Sequence, residues 1–162
     1  MCREREERNL FYAIMVIVLL AADQLTKAWA ANGLGAPMDV IHGIMSFTFV
    51  ENRGAAFGIM QDMQPVFIVL SLVYAIAASI YITVRRGRLP VLAQLGGWLT
   101  IAGAIGNMID RAIRGYVVDF IYIYAIDFPV FNIADVCLTL GAALLIIYLL
   151  FFAPRGQGEA KE

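Results

Sequence analysis

Histidine occurs once, cysteine twice, and charged side chains make up only 15% of the 162 residues. Each shortage removes a class of explanation. With His42 alone and Cys2 and Cys137 far apart, neither a zinc pattern nor a multi-bridge disulfide framework can be assembled. Neither metal nor disulfides are therefore expected to carry the fold. With 12 basic against 13 acidic residues the net charge is −1, which leaves no broad basic surface; a nucleic-acid partner is not expected. No Gly-x-Ser-x-Gly elbow occurs, and Cys137 sits inside an apolar run, so the usual signs of a serine or cysteine nucleophile are missing. What is abundant is apolar surface. The chain is 61% hydrophobic with a mean hydropathy of +0.76, whereas soluble domains average roughly 45–50% apolar and about 25% charged residues. Both departures point to lipid, and the same figures exclude disorder.

A hydrocarbon core of ~30 Å needs about 20 apolar helical residues. Four stretches qualify, at about 10–30, 66–84, 89–109 and 133–153, giving one integral membrane domain over 1–162. Arg3, Arg5, Arg8, Arg85, Arg86, Arg88, Arg155 and Lys161 fall on one side, against Lys27, Arg53, Arg111 and Arg114 on the other. By the positive-inside rule both termini are expected in the cytoplasm. Ala28-Trp29-Ala30 resembles a cleavage site and gives the first stretch some features of a cleaved signal peptide. Its length and the intervening Asp23 and Lys27 favour an uncleaved helix.

The outer connections, about 31–65 and 110–132, are the longer ones. Met38 to Val50 alternates β-branched and aromatic residues around Gly43, which predicts a small extracytoplasmic β-sheet platform in the first of them. An intramembrane charge costs roughly 2.5–3.5 kcal/mol on insertion scales, so the positions of polar groups are informative. Asp23, Lys27, Asn52, Arg53, Asn107, Asp110, Arg111, Asp119, Asn132 and Asp135 all fall near one outer interface, with no comparable set at the inner ends.

Structural readings compete for each of them. Asp23 and Lys27 are spaced to pair across one helical turn. Asn107, Asp110 and Arg111 share a helical face and could form a buried network. Arg53 could be an interfacial cation and Gly54 a turn residue. Asn132 could be an N-cap with Asp135 as its acidic N3 residue. Asp119 is harder to dismiss, being a single carboxylate inside the apolar stretch Tyr116 to Tyr124. Burying it without a partner is costly, and Asp135 is the partner the sequence most easily supplies. Two carboxylates held close cannot comfortably ionise together, so one keeps a proton while the other acts as a base. That arrangement activates water for peptide hydrolysis.

Asp23-Gln24-Leu25-Thr26-Lys27, Asn52-Arg53-Gly54-Ala55-Ala56-Phe57-Gly58, Gly106-Asn107-Met108-Ile109-Asp110-Arg111, Val117-Val118-Asp119-Phe120 and Phe131-Asn132-Ile133-Ala134-Asp135 occur in this order beside four spans. Together they resemble the five motifs of the lipoprotein signal peptidases (signal peptidase II), bacterial inner-membrane aspartic peptidases. The resemblance implies cleavage of diacylglyceryl-modified prolipoproteins just before the lipidated cysteine. It implies Asp119 and Asp135 as catalytic, and Asn52, Gly54, Asn107, Arg111 and Asn132 as shaping the site, with Asp23 helping to organise it; Lys27 and Asp110 join them as candidate site-supporting residues. No cofactor is implied; a monomer in membrane lipid is expected, with the polar cluster placing its active site at the outer, periplasmic interface. Two other classes remain open on the residues alone. A proton- or cation-relaying transporter subunit would place carboxylates through the membrane depth, and a non-catalytic scaffold would need no aspartate pair.

Overall fold

The structure, a computed structural model, describes residues 2–54 and 63–153. Among them, four helices are long and apolar enough to cross a membrane: α1 (Cys2–Gly33), α2 (Gln64–Arg85), α3 (Val91–Arg114) and α4 (Ile133–Phe151). At about 1.5 Å per residue, the 22 residues of α2 match the thickness of a bilayer core. Their ends follow local chemistry. Pro65 sits in the first turn of α2, where its missing N–H is harmless. Gly115 closes α3 in the left-handed conformation (φ 76°), its N–H donating to Arg111 O at 3.2 Å.

The helices extend past the uncharged stretches that mark them in the sequence. The first starts well before Leu10, and α3 continues through Asp110, Arg111 and Arg114 rather than ending at Ile109. A charge ends an apolar run without ending a helix, and here Asp110 and Arg111 have partners on neighbouring elements while Arg114 pairs with Asp110 one turn back. The multi-pass membrane architecture is as expected.

Three antiparallel strands form one sheet in the order β1 (Met38–Ile41), β2 (Met45–Asn52), β3 (Val117–Tyr122). The β1–β2 hairpin turns at Gly43, whose φ of 79° suits glycine. The sheet is not confined to the first outer connection, because β3 comes from the second. It pairs Asn52 with Val117, Glu51 with Val118 and Val50 with Asp119. The far side of β3 is occupied too. Phe131 bridges Ile121, with Ile121 N donating to Phe131 O at 2.8 Å and Phe131 N to Ile121 O at 3.0 Å. This backbone bridge brings the start of α4 beside β3.

Packing centres on α3, which contacts α1, α2 and α4 and is buried over most of its length, while the other helices expose apolar residues such as Ile17, Val69 and Leu149. Such outward faces suit lipid. Ala75, Ile82 and Ile101 knit α2 to α3, and Ala30, Val118 and Phe120 seal α1 under the sheet. The α3–α4 contact is nearly backbone to backbone. A Cβ on Gly141 would stand 2.6 Å from Gly96 O and 2.8 Å from Thr100 N. Gly141→Ala is therefore expected to destabilise the fold by about 1–3 kcal/mol, the usual cost of overpacking, seen as a lower midpoint of thermal unfolding in detergent.

Candidate active site

Asp119 is held from both sides. Asn52 on β2 donates Nδ2 to Asp119 Oδ2 at 2.9 Å, and Asn132 donates Nδ2 to Asp119 Oδ1 at 2.6 Å. The Asn52 amide has its orientation fixed by Gly54, whose N–H donates to Asn52 Oδ1 at 3.0 Å. Asp135 is held by a capping box. Its backbone N–H donates to Asn132 Oδ1 at 2.9 Å, and Asn132 N–H donates to Asp135 Oδ2 at 3.2 Å. Asn107 on α3 donates Nδ2 to the remaining oxygen, Asp135 Oδ1, at 2.8 Å. Asn132 thus caps α4 and holds both carboxylate residues, so the capping and site readings of this segment describe the same bonds.

Beneath this pair lies a buried charge network. Lys27 is 0% exposed, Asp110 0% and Asp23 2%. Lys27 Nζ reaches Asp23 Oδ2 at 2.9 Å, Asp110 Oδ2 at 3.1 Å and Asn107 Oδ1 at 2.9 Å, so each of its three N–H groups has an acceptor. Asp23 Oδ1 accepts from Ala134 N–H in the first turn of α4 at 2.9 Å. Asp110 Oδ2 accepts from Val118 N–H at 3.1 Å, and its Oδ1 pairs with Arg114. One ammonium therefore ties α1, α3, β3 and α4 together.

Asp119 and Asp135 line a single cavity of about 560 Å³, together with Asn52, Asn107 and Arg111 and apolar walls that include Phe67, Phe128, Val130, Val136 and Leu140. Arg111 donates to Gly54 O at 3.1 Å and stacks over Phe67 at 4.9 Å. Asp23, Lys27, Asp110 and Asn132 sit behind the cavity wall as its supports. The motif residues 55–58 lie outside the described residues. Arg53 pairs with Glu51 at 2.8 Å and lies 5.6 Å over Tyr116, and the sole histidine, His42, is exposed on the hairpin beside Asp39. Among the described residues no cluster suited to a metal ion occurs.

Three participants have no individual role assigned from the sequence, although Gln24 and Gly106 fall inside the motifs. Gln24 donates Nε2 to Asp23 Oδ2 at 3.1 Å and Gly106 O at 3.2 Å. Gly106 leaves room for Asp23, whose Oδ2 would be 2.7 Å from any Cβ there. Phe67, at the start of an apolar span, carries no signal of its own.

Burial, reinforced by Asp135, pushes the Asp119 carboxyl up to about 7 against the opposing hydrogen bonds from Asn52 and Asn132 and the Lys27 charge. A carboxyl raised from 3.8 favours the folded state fully below about pH 4 and loses that contribution as pH rises through 7. The thermal midpoint of the wild type is accordingly expected to fall between about pH 5 and 8, with Asp119→Asn flattening that dependence. Removing one partner of a buried ion pair strands the other. Lys27→Met should cost about 3–5 kcal/mol, and Lys27→Met with Asp23→Asn, which restores charge balance around Asp110 and Arg114, should regain most of it in the same unfolding assay.

Known proteins share this arrangement of sequence and fold. The family model described as signal peptidase (SPase) II matches residues 15–151. The lipoprotein signal peptidase of Clostridioides difficile is 39% identical over 150 residues, covering 91% of this chain and all of that one, and that of Streptococcus pyogenes serotype M5 is 42% identical over 144 residues, covering 88% and 94%. A bacterial membrane enzyme solved by the in meso method at 2.3 Å superposes with a TM-score of 0.82 at 33% identity, covering 94% of each chain. A second, solved by the same method at 1.9 Å, gives a TM-score of 0.78 at 35% identity, covering 88% of this chain and 94% of that one. With a family match across most of its length, four membrane helices and a small antiparallel sheet, this chain belongs to the signal peptidase II family of membrane proteases.

Proposed function

We propose that the protein cleaves the signal peptide from diacylglyceryl-modified prolipoproteins just before the lipidated cysteine, using water activated between Asp119 and Asp135. The observation that carries this reading is that the two carboxylates, anchored separately on β3 and at the N-terminus of α4, line one cavity next to membrane-crossing helices. Asp119, raised to about 7, keeps its proton in about half of the molecules at neutral pH and in most of them below it. Asp135 accepts from Asn107 and from the Asn132 N–H at a helix N-terminus, where negative charge is favoured, and serves as the base.

Water bound between the two gives a proton to Asp135 as its oxygen attacks the scissile carbonyl carbon. Asp119 donates a hydrogen bond to the carbonyl oxygen as negative charge develops there. The tetrahedral species collapses when the C–N bond breaks and Asp135 returns its proton to the departing nitrogen. No bond to the enzyme forms, and both aspartates end in their starting states. Asn52, Asn132 and Asn107 hold the carboxylates in place, while Arg111, bonded to Gly54 O, supports the cavity rim.

The apolar walls between α2 and α4 support a role in receiving the acyl chains, each buried CH₂ contributing about 0.8 kcal/mol. In this reading one integral domain sits in the bacterial inner membrane as a monomer. Both termini are cytoplasmic, and the site is at the periplasmic interface. The basic cluster Arg85, Arg86 and Arg88 between α2 and α3 supports that orientation.

In a purified system with a diacylglyceryl-modified prolipoprotein, Asp119→Asn and Asp135→Asn are each expected to lower kcat by at least about 10²-fold while still folding. Near wild-type cleavage by either would remove that aspartate from the mechanism. Because the pair must keep one proton, the wild-type rate should fall as pH rises above about 7, giving the profile an alkaline limb. Unlipidated substrate should be cleaved with KM at least about tenfold higher, and equal cleavage of the two forms would argue against an acyl-chain site.

A further inference from the structure

We infer that Lys27, besides joining the helices, is a positioning residue for the hydrolysis, because its ammonium fixes which way the Asn107 and Asn132 amides face the two aspartates. The inference rests on the two-aspartate reading above. Asn107 Oδ1 receives two donors, Lys27 Nζ at 2.9 Å and Asn132 Nδ2 at 3.2 Å. Turning this amide over would set its NH₂ against an ammonium and another NH₂ group, so the Asn107 Nδ2 group is obliged to point at Asp135 Oδ1. The same restriction passes on to Asn132. Its Nδ2 is directed to Asn107 Oδ1, Val118 O and Asp119 Oδ1, which leaves its Oδ1 for the Asp135 N–H.

The cation therefore locks, through two amides, an arrangement in which each aspartate is met by donors. Without it Asn107 Oδ1 keeps only the longer bond from Asn132 Nδ2, and the amide that donates to Asp135 is held less firmly. No carboxylate of the pair touches Lys27 itself, so its influence is indirect in bonds as well as in charge. The charged groups around the network are Asp23 from α1, Asp110, Arg111 and Arg114 from α3, Asp119 from β3 and Asp135 from α4, while α2 lends the cavity Phe67. The Lys27 charge also acts at a distance on Asp119, opposing its upward displacement.

The test uses the full chain in detergent with a diacylglyceryl-modified prolipoprotein, reading kcat, KM, the pH profile and thermal unfolding. Lys27→Met leaves two buried carboxylates facing one arginine, so the informative variant is Lys27→Met with Asp23→Asn, in which Asp110 and Arg114 still balance. The expected result is a folded protein whose KM stays within about threefold of wild type, whose kcat falls about tenfold or more, and whose alkaline limb moves to higher pH. Wild-type kcat with an unmoved limb would overturn the inference, as would a fall in activity with no movement of the limb. A double variant that cannot fold would also overturn it, by making the ammonium a requirement of assembly alone. Asp119→Asn and Asp135→Asn, assayed alongside, separate the two ideas. Cleavage by those variants removes the two-aspartate reading itself, whereas inactive aspartate variants beside an unaffected Lys27 variant remove only the positioning role.

Discussion

A fully buried ammonium with three oxygen acceptors is the constraint around which this molecule is organised. Desolvating a lysine is costly unless every N–H finds a partner and the charge is balanced. Lys27 meets both conditions only when Asp23 on its own helix, Asp110 on α3 and the Asn107 amide converge. Those acceptors are in turn committed to Ala134 at the start of α4 and Val118 on β3. Satisfying one side chain therefore specifies where four elements meet, and the cavity with its aspartates lies beside that meeting point.

Division of labour follows from this arrangement. The apolar lengths of the helices set where the chain sits relative to lipid, yet they say little about which faces touch. The polar groups, few and concentrated at one end, settle the contacts because any mispairing would leave a charge unsatisfied in a low-dielectric interior. Asn132 illustrates the economy of such a scheme. One residue ends the irregular stretch, caps α4 and bonds both aspartates' segments, so a local folding signal and a site-building contact are the same atoms.

Much of this was legible in the sequence where chemistry and spacing coincide. The four apolar runs, the hairpin around Gly43 and the gathering of Asp23, Lys27, Asn107, Asp119 and Asp135 at one end follow from hydropathy, alternation and the order of motifs. The third strand was half legible. Val117 to Tyr122 looked strand-like, but its pairing with β2 is a contact between residues 67 apart for Asn52 and Asp119, which no local pattern encodes. Helices α1 and α3 run beyond the spans that hydropathy marks, because a charge with a buried partner is compatible with a helix interior. Phe67 beneath Arg111 was invisible for the opposite reason. In an apolar span every phenylalanine looks alike until the neighbouring helix supplies its cation.

The glycine contact between α3 and α4 has a mechanical corollary. Helices whose backbones touch at Gly96 and Gly141 cannot slide past one another by a turn without bringing bulkier residues such as Leu144 or Leu145 into the gap. The two helices consequently behave as a rigid post of fixed axial register. A mismatch between the apolar length and the bilayer is met by tilt, and a fixed α3–α4 register makes those two helices tilt together. The post rises or sinks as a unit, and the 2.8 Å bond between Asn107 on one helix and Asp135 on the other is carried along unchanged.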